Sequence, residues 1–213
     1  MILKTEAIVL RIRPFSRTSH VVTWLSPEHG RVTTVVKGAS RPTSAFLGQY
    51  DLFATCELLF YRRDHDGVHA IRECTPLQTR DALRPDWRRI TTASYCADLA
   101  ARVASPAQES PELYRLLSLT LDELCRAPPA PDLLLRYELA VLRQAGLMPN
   151  LEICAQCNTA AQPWLRFGLA SGRAHCVHAP AGASPAREPA VTVHRDVLAR
   201  LAWLGYDFPS YEL

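Results

Sequence analysis

Two groups of residues in this chain have types and spacings that could do chemistry. The first is Cys154-Ala155-Gln156-Cys157. Two thiolates separated by two residues can grip one tetrahedral ion from a tight turn, and a second pair normally follows ~15–20 residues on. Cys176 arrives in that window, but Ala179 stands where the fourth cysteine would be. His175 and His178 flank Cys176. His178 leaves room for a turn, whereas the adjacent His175 would strain a chelate. Cys154, Cys157, Cys176 and His178 therefore read as a Cys3His site for structural zinc, with no neighbouring acid or base to activate a metal-bound water. A metal-free packed loop and a redox CxxC are the competing readings. The redox motif should open a helix after a strand, and this pair follows a helix, in a loop.

The second group is cationic. Residues 1–50 carry seven basic side chains (Lys4, Arg11, Arg13, Arg17, Arg31, Lys37, Arg41) against two acidic ones (Glu6, Glu28), a net of +5. Residues 90–213 carry ten basic and twelve acidic side chains, a net of −2, so the overall charge of +3 hides an asymmetry. Cations at one end imply a polyanionic partner there, or else an ordinary solvated face. Phe15, Trp24, Phe46, Tyr50 and Tyr61 supply rings for stacking on bases. Trp24, between Val22 and Leu25, reads as core instead. Lys37-Gly38-Ala39-Ser40-Arg41 puts two cations four residues apart around a free backbone. Arg88 and Arg89 could extend the patch.

Catalytic patterns are missing. The chain has no G-x-S-x-G elbow, HExxH, GxGxxG or GxxxxGK[ST]. Asp64, His65 and Asp66 read as a turn, and a metal-dependent nuclease would need several converging carboxylates. The chain reads as non-enzymatic.

The elements that must position these groups change character along the chain. Five runs rich in β-branched and aromatic residues read as strands: 7–12, 21–25, 31–37, 50–61 and 68–74. Five short strands without a covering helix solve their edge problem by closing into a small barrel of OB-fold or SH3-like size. From residue 81 the apolar spacing becomes three and four. Trp87 to Val103 is one helix, Pro111 after Ser110 opens a second, and Asp132 precedes a third that ends near Gly146. Val193, Val197, Leu198, Leu201 and Leu204 read as a last helix, and residues 150–190 show no clear period. The fold class is α+β: a five-stranded OB-like barrel over residues 1–80, a helical domain over 81–150 and 190–213, and a zinc-finger-like loop insert over 151–189.

Composition adds bounds. Cys56, Cys74, Cys96 and Cys125 sit singly among apolar neighbours and read as small core residues, reduced in a cytosol. Charges scattered through the first 15 residues argue against a signal peptide, and no run of ~18 apolar residues is present. A cytoplasmic chain is expected.

In order, these pieces resemble the RecO recombination mediators over nearly the whole chain. Ala7-Ile8-Val9-Leu10, then Leu25 to Gly30, then Val36-Lys37-Gly38-Ala39-Ser40-Arg41 resemble the family's first three strands and its "KGA+R" loop. Arg136 to Pro149 resembles its "R-x-E-L-x-L-L-x-x-x-G-x-x-P" helix, which runs directly into Cys154 and Cys157. Two departures are visible: Arg17-Thr18-Ser19-His20 replaces an acidic residue after the first strand, and Ala179 replaces the last zinc cysteine. The resemblance implies an N-terminal OB-fold, a helical domain and a zinc-finger-like insert. It implies binding of single- and double-stranded DNA, strand annealing, and recombinase loading with RecR and the single-stranded-DNA-binding protein as partners, in the cytoplasm at the nucleoid. A protein-interaction adaptor with negligible DNA affinity is the alternative reading. A small hydrolase or nuclease using unrecognised carboxylates is a third.

Overall fold

Along the strand Gly30–Val36 burial alternates. Val32, Thr34 and Val36 point inward, and Arg31, Thr33 and Val35 are half-exposed, the period of a sheet with one covered face. The computed structural model of the chain describes residues 1–63, 67–149, 151, 153–155, 157, 163–176 and 189–206. Backbone contacts divide it into two units, Met1–Leu134 and Leu135–Leu213.

The first unit opens with β1 (Ile2–Pro14), β2 (His20–Ser26), β3 (Gly30–Val36), β4 (Thr55–Tyr61) and β5 (His69–Gln78). β1 pairs antiparallel with both β2 and β4, β2 with β3, and β4 with β5. The ring closes through a short parallel bridge between β3 and β5, Thr34 to His69 and Val35 to Ala70. Inside lie Val9, Val22, Trp24, Val32, Val36, Leu58 and Phe60. Trp24 is fully buried and donates from Nε1 to Thr34 Oγ1 at 2.9 Å, so its one polar atom is satisfied.

A short turn at Asp81–Leu83 leads to α1 (Trp87–Val103) and α2 (Pro111–Arg126). Asp86 caps α1 by accepting from the Arg88 amide at 2.9 Å. The buried face of α1 is small: Ala93, Cys96, Ala97, Ala100 and Ala101. That allows close approach, and α1 packs on β1, β2 and α2. Leu113, Leu116, Leu117, Leu121 and Leu124 form the matching face of α2.

α3 (Leu133–Gln144) crosses into the second unit. Gly146, at φ 69°, ends it, and the Leu147 amide closes on the Leu142 carbonyl at 2.8 Å. β6 (Trp164–Gly168), β7 (Ala174–Cys176) and β8 (Ala190–His194) form an antiparallel sheet in the order β7-β6-β8. It is followed by α4 (Arg195–Tyr206). Leu165, Ala174, Leu198 and Ala202 share this unit's core with Leu151.

The α+β architecture, five-stranded N-terminal sheet followed by helices, is the expected one. Three details differ. The fourth strand starts at Thr55, because Phe53 turns the chain with φ 68°. Part of 150–190 is strand, not loop. Val193 belongs to β8, and the last helix starts only at Arg195. Asp64, His65 and Asp66 lie outside the described residues. Among the described residues no helix is long and apolar enough to cross a membrane.

Candidate nucleic-acid interface and cysteine cluster

Strand register places the barrel's cations. Arg11 of β1 faces Thr23 of β2, which faces Thr33 of β3, so the three form one row across the outer face. Arg31 lies two residues from Thr33 on the same side, and Arg13 two residues beyond Arg11. Farther along, the end of β1, the start of β2 and the end of β3 meet, through the pairs Pro14 to His20 and His20 to Val36. Arg17 and Lys37 emerge there.

The loop after β3 is latched to that end. The Gly38 amide donates to Ser19 Oγ at 3.2 Å, and the Ser40 amide to the Thr18 carbonyl at 3.1 Å. The ring nitrogens of His20 meet Ser40 Oγ at 3.2 Å and the Tyr50 hydroxyl at 2.8 Å. Burial pushes the Tyr50 phenol up to about 12, and the Cys74 thiol adds to it. Cys56 and Cys74 both donate to the Gln49 carbonyl, at 3.6 and 3.5 Å, which ties down the loop's far end. Arg13, Arg17, Lys37 and Arg41 are exposed, and among the described residues no carboxylate pairs with them.

Arg11 and Arg31 are held differently. Arg11 pairs with Asp98 of α1, whose second carboxylate oxygen accepts from Arg102 Nε at 2.7 Å. Arg31 donates from Nη1 to the Ala101 carbonyl at 2.9 Å. Of the α1 arginines, Arg88 is exposed, its guanidinium 5.5 Å over the Trp87 ring. Arg89 is half-buried, donates to the Cys125 carbonyl at 3.1 Å and has its Nε 3.4 Å from Asp86. Phe15 and Tyr61 are exposed, Phe46 and Tyr50 pack partly against the barrel core, and Trp24 lies wholly inside it.

In the second unit Cys154, Cys157 and Cys176 bring three sulfur atoms within 4.8 Å of one another. Cys157 and Cys176 are 3.7 Å apart. A tetrahedron with Zn–S of ~2.3 Å has sulfur–sulfur edges of ~3.8 Å, so the donor set fits a metal of zinc's kind. The Cys176 amide donates to Cys154 Sγ at 3.3 Å, and the Ala155 amide to the Ala174 carbonyl at 2.8 Å. The turn is thus docked on β7. Burial, with the neighbouring Cys154 and Cys157 thiols, pushes the Cys176 thiol up to about 11. His175 pairs with Arg166 across the sheet and stands outside the three-sulfur group, as strand alternation requires of the residue before Cys176. His178 lies outside the described residues.

Sequence reasoning missed Thr23, Thr33, Asp98 and Arg102. The spacing of Asp98 and Arg102 on one helix was a readable pair signal. The contact of Asp98 with Arg11, 87 residues away, was not.

Residues 1–80 match the family model for the N-terminal part of recombination protein O, and residues 84–194 match the model for its C-terminal part. The DNA repair protein RecO of Anaeromyxobacter sp. (strain K) is 33% identical over 183 residues, 85% of this chain and 70% of that protein. The protein of the same name from Alkaliphilus metalliredigens is 28% identical over 178 residues, 83% of this chain and 71% of that one. For Syntrophus aciditrophicus the figures are 27% over 175 residues, 81% and 68%.

Proposed function

The chain belongs to the RecO family of DNA repair proteins, and on that premise we propose that it binds single- and double-stranded DNA on the outer face of β1–β3, anneals complementary strands, and with RecR helps load recombinase onto strands coated by the single-stranded-DNA-binding protein. The observation that carries this reading is the cluster of cations with no carboxylate partner among the described residues, Arg13, Arg17, Lys37 and Arg41, at one end of the barrel, continued along the same face by Arg11 and Arg31. Arg88, beside the exposed Trp87, adds a contact on α1. Arg89, engaged with Cys125 and Asp86, adds charge alone.

The mechanism is non-covalent. Guanidinium and ammonium groups neutralise phosphates and release condensed counterions, which gives affinity without base readout. Two strands held on one positive surface repel each other less and meet at higher local concentration, so annealing accelerates with no bond made or broken. Cys154, Cys157 and Cys176 would hold a zinc ion, with His178 as fourth ligand. The metal would supply a structural cross-link between the 154–157 turn and β7.

Fluorescence anisotropy of a labelled oligo(dT) across a salt series tests the reading. Six phosphate contacts give a log–log slope of about −4 for a single strand, and Lys37→Ala/Arg41→Ala should reduce it by about 1–1.5. A slope near zero, with a protein co-purifying in place of DNA affinity, would favour an adaptor.

A further inference from the structure

We propose that the surface cavity between the outer face of β1–β3 and the C-terminal half of α1 is a phosphate subsite for which Asp98 acts as a built-in competitor. The inference rests on the DNA-binding reading and adds its regulation. The cavity is lined by Arg11, Arg31 and Arg102, with Thr23 and Thr33 from the sheet row and Ala101 from the helix. It measures about 490 Å³, far above the ~30 Å³ a water occupies in the liquid, so a tetrahedral oxyanion has room. Among the described residues three guanidiniums meet one carboxylate, an excess of two positive charges. Guanidinium forks match the paired oxygens of a phosphate, and threonine hydroxyls add neutral donors. Among the described residues neither the Thr23 nor the Thr33 hydroxyl has a hydrogen-bond partner. Arg31 spends one nitrogen on Ala101, and among the described residues it meets no carboxylate.

Asp98 engages two of the guanidiniums that a ligand would use. One of its oxygens meets Arg11 and the other meets Arg102, as two oxygens of a phosphate would. The Arg102 guanidinium, with Arg11 behind it, holds the Asp98 carboxyl below the usual carboxylate range, so the competitor is charged. It is also displaceable. Arg11 and Asp98 are 37% and 36% exposed, and an ion pair that accessible shifts an equilibrium by about fivefold at most. A strand with several phosphates on the neighbouring cations can outcompete it, and Asp98 then discriminates against weak anionic ligands.

Two titrations on the full chain test this, one with the labelled oligo(dT) and one with inorganic phosphate followed through the arginine Nε–H NMR signals. Asp98→Asn should tighten oligo(dT) binding about 2- to 5-fold and steepen the salt slope, whereas Arg31→Gln and Arg102→Gln should weaken binding and flatten it by about 0.7 each. Thermal melts of each variant confirm folding. If Asp98→Asn and Arg31→Gln leave binding unchanged while Lys37→Ala/Arg41→Ala weakens it, the subsite is overturned and the DNA reading survives. If the wild type binds no oligo(dT) but phosphate moves the Arg11, Arg31 and Arg102 signals, more so in Asp98→Asn, the subsite stands for free phosphate and the DNA reading falls.

Discussion

Arg80 donates from Nη1 to the carbonyl oxygen of Phe53 at 2.6 Å, and Phe53 is the residue that turns the chain into β4 with φ 68°. A left-handed backbone costs a non-glycine residue about 1–2 kcal/mol. The position is over-determined: the Phe53 ring is buried and its amide donates to Val9. The Arg80 side chain has no exposed surface, and it also reaches Thr55 Oγ1 and Asp122 Oδ1, each at 3.0 Å, and Ser118 Oγ at 3.2 Å. Arg80 thus staples the barrel to α2. Arg80→Met keeps the volume but leaves several acceptors without their donor. It should cost about 3 kcal/mol, read as a lower urea midpoint at unchanged m value. A loss below about 1 kcal/mol would mean that water replaces the guanidinium.

Gly30 makes the second prediction. It sits at φ 60°, and a Cβ there would lie 2.3 Å from the carbonyl oxygens of both Ser105 and Gln108. Those backbone atoms cannot swing aside. The Arg31 amide donates to Ser105, and the Ala107 amide to His29, so the β2–β3 turn is bonded to the α1–α2 loop. Gly30→Ala should destabilise by at least about 2 kcal/mol in thermal melts. The further loss of Arg31 geometry should weaken oligo(dT) binding in the fraction that stays folded.

How much was legible follows physical range. Strand alternation, proline at the start of α2 and glycine at the end of α3 are local signals, and each landed. The sequence pattern extends the fourth strand too far because Leu52 and Phe53 look like strand residues, while the positive φ of Phe53 is imposed by Arg80 and Val9 from outside its neighbourhood. β6 to β8 are hidden because each is five residues or fewer, and β6 and β8 carry exposed aromatic or apolar residues such as Trp164 and Val191. For the site, residue types were readable and pairings were not. Arg11 and Arg13 look alike in sequence, yet one is paired to Asp98 and the other is not, a difference made by where α1 crosses β1.

Glu28 gives a pH signature. Burial alone would raise its carboxyl, but hydrogen bonds from Thr5, its own backbone and Ser26, with the nearby His29, outweigh that and set it below the ordinary 4.5. A carboxyl lowered in the folded state contributes stability that is complete above its unfolded value and lost as pH falls through the folded one. Unfolding free energy should therefore decline as pH drops below about 4.5, and more shallowly in Glu28→Gln. Parallel pH curves for the two proteins would contradict the assignment.

Metal analysis of the purified chain should find one zinc per chain, absent in Cys154→Ser. Thiolate ligation of a metal converts binding energy into folding energy. Chelation should accordingly raise protease cutting between residues 154 and 176 while leaving the barrel's melt unchanged. Three freely titratable thiols in the native protein, with no metal, would sink the zinc reading.

Gly38 separates a DNA contact from a structural one. It sits at φ 66°, and a Cβ would lie 3.2 Å from Arg41 Cδ and 3.4 Å from its Nε. Unlike the obstacles at Gly30, this one is a flexible side chain and can move. Gly38→Ala should therefore cost only about 1 kcal/mol of stability, from the left-handed backbone. It should also push the Arg41 guanidinium off its present course over Gly38. If Arg41 meets a phosphate there, Gly38→Ala weakens oligo(dT) binding as a partial copy of Arg41→Ala, and the double variant binds no worse than Arg41→Ala alone. Residues acting through one contact are non-additive in that sense, whereas independent effects sum. Additive losses in the double variant would show that Gly38 acts on the loop as a whole, and would remove Arg41 as the reason for its glycine.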